Sequence, residues 1–400
     1  MNFDLQTIWF LLVGVLLIAY LITDGFDFGV GILYGFIPKT DIEKRVLLNS
    51  VGPVWDGNEV WLITAGAAAF AAFPELYAAL FSSFYVALFI VLVALIFRAC
   101  AFEFRSKEDS LSWRNFWDKA LFLGSAIPAL LVGVAIGNVL GGVPVINSSI
   151  NGDYLSGFVY AEKFPISFLN LINPFTQHGF YGLLIGVAGF LFFILHGVSW
   201  ILWKVEGDLV ERAKEVAKKL VIPFIVLFIL CGVVAYFISF KIGDPANLKY
   251  LGLPDNLIES LKPYIQGNEV KHALFRYPVL QFILIVLSIL MALLYLRNLN
   301  NNNGKGAFLN TSLIAVFGTL VGALGAYPIL VPSSVGIEHS ITIYNAASST
   351  LTLTVMLIAA LVFTPIVIAY QTWVYKMFLY KISVQELEKE LKEGPKAEVY

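Results

Sequence analysis

An all-α polytopic membrane protein with about nine transmembrane helices is the fold class predicted by this sequence, on three observations. Hydrophobic residues make up 58% of the 400 and charged residues only 14%, too apolar a mixture for a water-facing surface. Apolar runs long enough to cross about 30 Å of hydrocarbon recur along the whole chain. The Lys and Arg residues between them alternate between a rich side and a poor side.

The runs cover 7–35, 52–73, 77–101, 118–140, 178–203, 220–240, 278–297, 308–330 and 345–375. No Lys or Arg precedes the first, so it reads as a retained span rather than a leader. The second is the least secure: only Pro74-Glu75-Leu76 separates it from the third, and it carries Asp56 and Glu59 near its start. Read as a re-entrant or surface helix, it would leave eight spans. The third run ends near Arg98, the fourth opens on Asp118, the fifth holds His196 and the sixth Cys231. An Asn-rich turn at 299–303 separates the seventh from the eighth. The ninth carries a polar strip of Thr342, Asn345, Ser348, Ser349, Thr350, Thr352 and Thr354, which reads as helix packing.

With nine crossings, 36–51, 102–117, 204–219, 298–307 and the tail share one side holding 18 Lys or Arg, counting Arg297 at the edge of the fourth loop, against six on the other. The asymmetry predicts an outer N-terminus and a cytoplasmic C-terminus. Residues 1–380 form a single membrane domain, and 381–400 a solvated cytoplasmic tail. The longer outer segments, 141–177 and 241–277, read as lids or partner surfaces. A net charge of −2 gives no sign of nucleic-acid binding, and Cys100 and Cys231 match no metal spacing.

Chemistry concentrates in two stretches, Asp24-Gly25-Phe26-Asp27-Phe28-Gly29-Val30-Gly31 and Trp55-Asp56-Gly57-Asn58-Glu59-Val60-Trp61. A carboxylate in lipid costs at least about 2.5 kcal/mol, so these acids require protein or water around them. Asp24/Asp27 and Asp56/Glu59 each have i, i+3 spacing and share a helix face. The threading brings both pairs, Arg98 and Asp118 to the cytoplasmic third of the first four helices. One arginine cannot neutralise five acids, which is the pattern of a proton relay or ion site. Structural alternatives stay open for each. Asp24 and Asp27 could bond a neighbouring helix across the small-xxx-small glycines. Asp56 and Glu59 could cap a helix start. Arg98 could snorkel, and Asp118 could be an interfacial charge. Trp55 and Trp61 bracket the acids too closely to be dismissed as belt residues. Histidine is scarce: only His196 is well inside a span, and no facing pair for a bis-imidazole haem is visible.

These motifs, with Phe97-Arg98, Trp113-Arg114-Asn115-Phe116-Trp117-Asp118, Gly137-Asn138, Asn173-Pro174-Phe175 and Ala347-Ser348-Ser349-Thr350-Leu351-Thr352, resemble subunit II of cytochrome bd-type quinol oxidases over essentially the whole chain. The resemblance implies two four-helix bundles plus one peripheral helix, in a prokaryotic inner membrane. It implies a partner, subunit I, that carries two b-type haems and one d-type haem, oxidises quinol and reduces oxygen to water. This chain then binds no haem. Asp56 is placed on a proton path toward the partner's haems, with Arg98 tuning its surroundings. A structural quinone on this chain and a small single-helix subunit are left open by the family. The competing class is a stand-alone proton-coupled secondary transporter, against which the lack of broken midplane helices in two repeats speaks.

Overall fold

A computed structural model describes residues 4–153, 157–161 and 166–393. Fourteen helices carry it: α1 (Leu5–Tyr34), α2 (Asp41–Val51), α3 (Trp55–Ala72), α4 (Pro74–Ser83), α5 (Tyr85–Phe104), α6 (Leu111–Gly141), α7 (Ile166–Leu171), α8 (Gln177–Lys204), α9 (Asp208–Phe237), α10 (Asp255–Leu261), α11 (Pro278–Asn300), α12 (Gly304–Ala326), α13 (Thr350–Met377) and α14 (Val384–Glu393). Eight of these, α1, α5, α6, α8, α9, α11, α12 and α13, are each long and apolar enough to cross a membrane.

Among the described residues the doubtful second span passes for a crossing only as the bent pair α3–α4, which makes eight crossings or up to nine, and contacts at both ends of α3 set how it lies against α13. At the start of α3, Gln371 of α13 donates through Nε2 to the Gly57 carbonyl at 2.9 Å. At its end, the Ser348 amide and hydroxyl donate to the Ala72 and Ala71 carbonyls at 2.9 and 2.6 Å. Thus α3 runs antiparallel alongside α13, its 18 residues reaching about 27 Å. Pro74 then breaks the chain, because a proline cannot continue the preceding helical hydrogen bonds, and α4 leaves at 119° to α3. The third span is therefore shorter than its apolar run: residues 77–83 belong to α4, and the crossing helix begins at Tyr85.

Packing sorts the long helices into two bundles. In the first, α1 lies on α3 and α6, and α5 lies on α6; in the second, α8 and α11 each pack on α9 and α12. The bundles meet where α1 and α6 cross α8. That crossing is close because Gly29 faces Gly197: a Cβ on Gly29 would come within 2.7 Å of the Gly197 backbone, leaving room only for glycine. The helix α13 packs on the outside of α1 and α3 with most of its side chains exposed.

Several expected loops contain ordered structure. Residues 36–51 hold α2, whose N-cap Thr40 accepts from the Glu43 amide and whose Val46, Leu47, Leu48 and Val51 are buried. The charged segment before residue 220 is the first part of α9, and residues 111–117 the first two turns of α6. The polar strip assigned to the ninth span is divided. Thr342, Asn345 and Ser348 precede α13, and Ser349 is its N-cap, accepting from the Thr352 amide. In the outer segments β1 (Val145–Asn147) pairs with β2 (Phe158–Tyr160), and β5 (Glu269–Val270) lies between β3 (Phe240–Lys241) and β4 (Ile265–Gln266). A third pair, β6 (Ile329–Val331) with β7 (Ile341–Thr342), precedes α13. Buried Glu338 ties two of these regions together by accepting from the Gly243 and Asp244 amides at 3.0 and 3.3 Å. The expected tail begins as the amphipathic α14, which packs on α2; residues 394–400 lie outside the described residues.

Candidate functional site: a buried acid–arginine cluster

From Asp24 to Tyr34 every residue of α1 is buried, so both aspartates of this helix sit inside protein rather than against lipid. Arg98, from α5, reaches across with no solvent exposure. Its Nη2 donates to Asp24 Oδ1 at 2.6 Å and its Nη1 to Glu59 Oε1 at 2.8 Å. The guanidinium carbon lies 4.3 Å from the centre of the Phe28 ring, a cation–π contact in a dry setting. Arg98 does not snorkel. It is the bridge between α1 and α3, and its rigid fork suits two carboxylates from two helices.

Asp27, one turn further along α1, does not touch Arg98. Its Oδ2 accepts from Asn58 Nδ2 at 2.7 Å, and Asn58 Oδ1 accepts from the Tyr375 hydroxyl at 2.7 Å. Tyr20 adds a buried hydroxyl beside Asp24, although the two do not make a well-formed hydrogen bond. Two acids therefore flank one guanidinium and a third lies one turn away, and the surplus negative charge must be balanced by protons or water, since bare carboxylates are far too costly at this depth.

Glu59 lines the way out, its side chain 23% exposed against none for Asp24 and Arg98. One turn before it, Asp56 is exposed in the first turn of α3 and accepts from the Gly57 amide at 2.7 Å. The capping explanation of Asp56 is thus partly realised, yet the residue also stands at the mouth of the cluster. Trp55 stacks on Phe102 with centroids 4.9 Å apart, and Trp61 donates through Nε1 to Gln371 Oε1 at 2.9 Å.

Asp118 belongs to a different set. It accepts from the Tyr34 hydroxyl, from Lys44 Nζ at 2.7 Å and from Arg105 Nε at 2.6 Å, while Arg105 Nη2 reaches Asp41 at 2.5 Å. These bonds lock α2 onto the ends of α1, α5 and α6. Partial burial works to raise the Asp41 carboxyl, but hydrogen bonding and attraction from Arg105, with Arg114 and Arg45 nearby, hold it below the ordinary range.

Sequence reasoning missed Asn58 as the partner of Asp27, and Tyr375 and Gln371 as the α13 residues that hold Asn58 and the start of α3. Asn58 stood between two singled-out residues and could have been found as the buried face of the Asp56/Glu59 helix. Tyr375 and Gln371 lie more than 300 residues away and gave no local signal. The helix α2 was legible in Thr40-Asp41-Ile42-Glu43, whose threonine and glutamate have capping-box spacing.

His196 is fully buried at the junction of the bundles. One ring nitrogen lies 2.8 Å from the Ile22 carbonyl and the other 2.7 Å from Thr311 Oγ1. Among the described residues no group of three or more His, Cys, Asp or Glu is arranged to hold a metal ion.

The profile of the cytochrome bd terminal oxidase subunit II family matches residues 5–378. The chain is 37% identical to cytochrome bd-I ubiquinol oxidase subunit 2 of Escherichia coli K12 over 389 residues, 96% of this chain and 97% of that one. It is 31% identical to cytochrome bd ubiquinol oxidase subunit 2 of Bacillus subtilis, covering 96% and 98%. A chain in the structure of the bd oxidase from Geobacillus thermodenitrificans shares the fold, with a TM-score of 0.56 at 14% identity over 94% of this chain and 99% of that one. The chain belongs to the cytochrome bd terminal oxidase subunit II family.

Proposed function

We propose that this chain works as the haem-free subunit of a quinol:oxygen oxidoreductase and supplies its complex with a proton route from the cytoplasm. In this reading subunit I carries two b-type haems and one d-type haem, oxidises quinol and reduces oxygen to water. Oxygen reduction consumes protons at a buried site, so titratable groups must lead there from water. The carrying observation is the graded series from exposed Asp56 through half-buried Glu59 to Asp24, Arg98 and Asp27, all fully enclosed. Asp56 collects protons, Glu59 passes them inward, and Arg98 holds the surplus acids together.

His196 supports the haem-free assignment, because both its ring nitrogens are committed to protein partners. A small single-helix subunit and a structural quinone remain part of the family expectation. The whole-length likeness to oxidase subunits favours this function over a stand-alone proton-coupled transporter.

For orientation, α2, α14 and the start of α9 share one end of the molecule, where Glu43 pairs with Arg212 at 2.6 Å. The charge asymmetry makes that end cytoplasmic. A cysteine at Thr40 should therefore resist impermeant reagents in intact cells and react after permeabilisation; labelling from outside would invert the topology.

The route is tested by Asp56→Asn and Asp27→Asn in the purified complex. Each should keep full haem content while turnover falls at least about tenfold, equivalent to about 1.4 kcal/mol on the limiting barrier. Wild-type turnover in both variants would reduce these aspartates to structural residues.

A further inference from the structure

The geometry points to Asn58 and Tyr375 as positioning residues that decide which oxygen of Asp27 exchanges protons. The inference rests on Asp27 belonging to the proton route. The Tyr375 hydroxyl has one proton and donates it to Asn58 Oδ1 at 2.7 Å. With the hydroxyl donating, the amide turns its oxygen to Tyr375 and its other end presents the NH2 group. The NH2 group meets Asp27 Oδ2 at 2.7 Å, so this oxygen is an acceptor whether Asp27 is charged or neutral. Any proton Asp27 carries must reside on Oδ1, which is buried and makes no hydrogen bond to another described residue.

The same chain cannot conduct. A carboxamide passes on a proton only by becoming an imidic acid, a high-energy tautomer, so Asn58 orients Asp27 without feeding it. The consequence concerns the cleft of about 300 Å³ between α3 and α13, lined in part by Trp61, Gln371, Tyr375 and Lys376. Although Tyr375 stands at its wall, protons in this cleft do not reach Asp27 through Asn58. The peripheral helix is thereby given a role in the chemistry. Gln371 clamps α13 to the start of α3 by donating to the Gly57 carbonyl and accepting from Trp61, and this holds Tyr375 one turn away in register. Loss of the hydroxyl frees the amide to turn its oxygen toward Asp27, which would force the carboxyl to donate through the wrong oxygen.

The test compares the wild-type complex with Tyr375→Phe, Asn58→Leu and the double variant. Tyr375→Phe keeps the ring, so assembly and haem content should hold while turnover falls roughly three- to tenfold, the effect of one misdirected hydrogen bond. In the Asn58→Leu background, Tyr375→Phe should cause no further loss, because Tyr375 acts through Asn58. Independent, multiplying losses would overturn the assignment and leave Tyr375 a packing residue. Infrared difference spectra give a second readout. The carboxyl or carboxylate band that disappears in Asp27→Asn should shift in Tyr375→Phe, and an unmoved band overturns the assignment whatever the turnover. Wild-type turnover in Asp27→Asn, accompanied by a shifted band in Tyr375→Phe, would instead reject the proton route while retaining the positioning role.

Discussion

The two helical bundles bury polar groups in opposite ways. The first, around α1, α3 and α5, encloses ionisable groups whose charges do not cancel: Asp24, Asp27 and Glu59 around Arg98. In the second, a neutral network links His196, Thr311 and Ser199, with the Tyr295 hydroxyl donating to the Leu195 carbonyl at 2.9 Å. Its donors and acceptors match. The Ile22 carbonyl can only accept, so His196 Nε2 carries the proton and Nδ1 accepts from Thr311. A network of this kind specifies how α8 meets α1 and α12, and it needs no exchange with solvent. The charged cluster has surplus acids and a partly exposed glutamate, a combination suited to moving protons and poorly suited to simple adhesion.

The largest effect should come from removing Arg98, the cation that pairs with Asp24 and Glu59. Arg98→Leu strands Asp24 beside Glu59 in a dry interior, and breaking such a buried pair costs about 3–5 kcal/mol. Assembly should fail or haem content collapse, measured as haem per purified complex. Arg98→Lys should rescue little, because an ammonium does not reproduce the fork that reaches two helices. A fully assembled Arg98→Leu complex would show that the charges are already neutralised by bound protons.

A smaller loss is expected from His196→Leu. Each former partner has another outlet: the Thr311 hydroxyl can donate to the Phe308 carbonyl, 3.0 Å away, and the Ile22 carbonyl lies within α1. The expected cost is about 1–2 kcal/mol, seen as a lower midpoint of thermal unfolding with turnover per haem near wild type. A loss of turnover at full haem content would erase the contrast between the bundles and make the second one part of the chemistry.

Much of the first cluster was legible because its residues obey local rules. Carboxylates at i, i+3 in apolar helices share a face and demand partners, and the positive-side count set the level at which they meet. Arg98 was visible as a cation at the end of a span, but its pairing was not, since snorkelling and bridging leave the same trace in a sequence. Asp118 shows the reverse: placed with the other acids by its level, it is tied instead to Lys44 and Arg105 through a helix, α2, that its charged composition had disguised as a loop. The bend after α3 was marked by Pro74, yet only the contacts with α13 show that α3 lies antiparallel along its neighbour.

Hydropathy and charge asymmetry by themselves determined the membrane class, the apolar runs and the segments able to hold buried acids, because transfer from water to lipid acts on each segment separately. The tertiary structure alone decided which acid faces the arginine, that Asn58 and Tyr375 hold Asp27, and that Asp118 stands apart. These contacts join α1 to α3, α5 and α13 across as many as 317 residues, and no local periodicity encodes which faces of packed helices will meet.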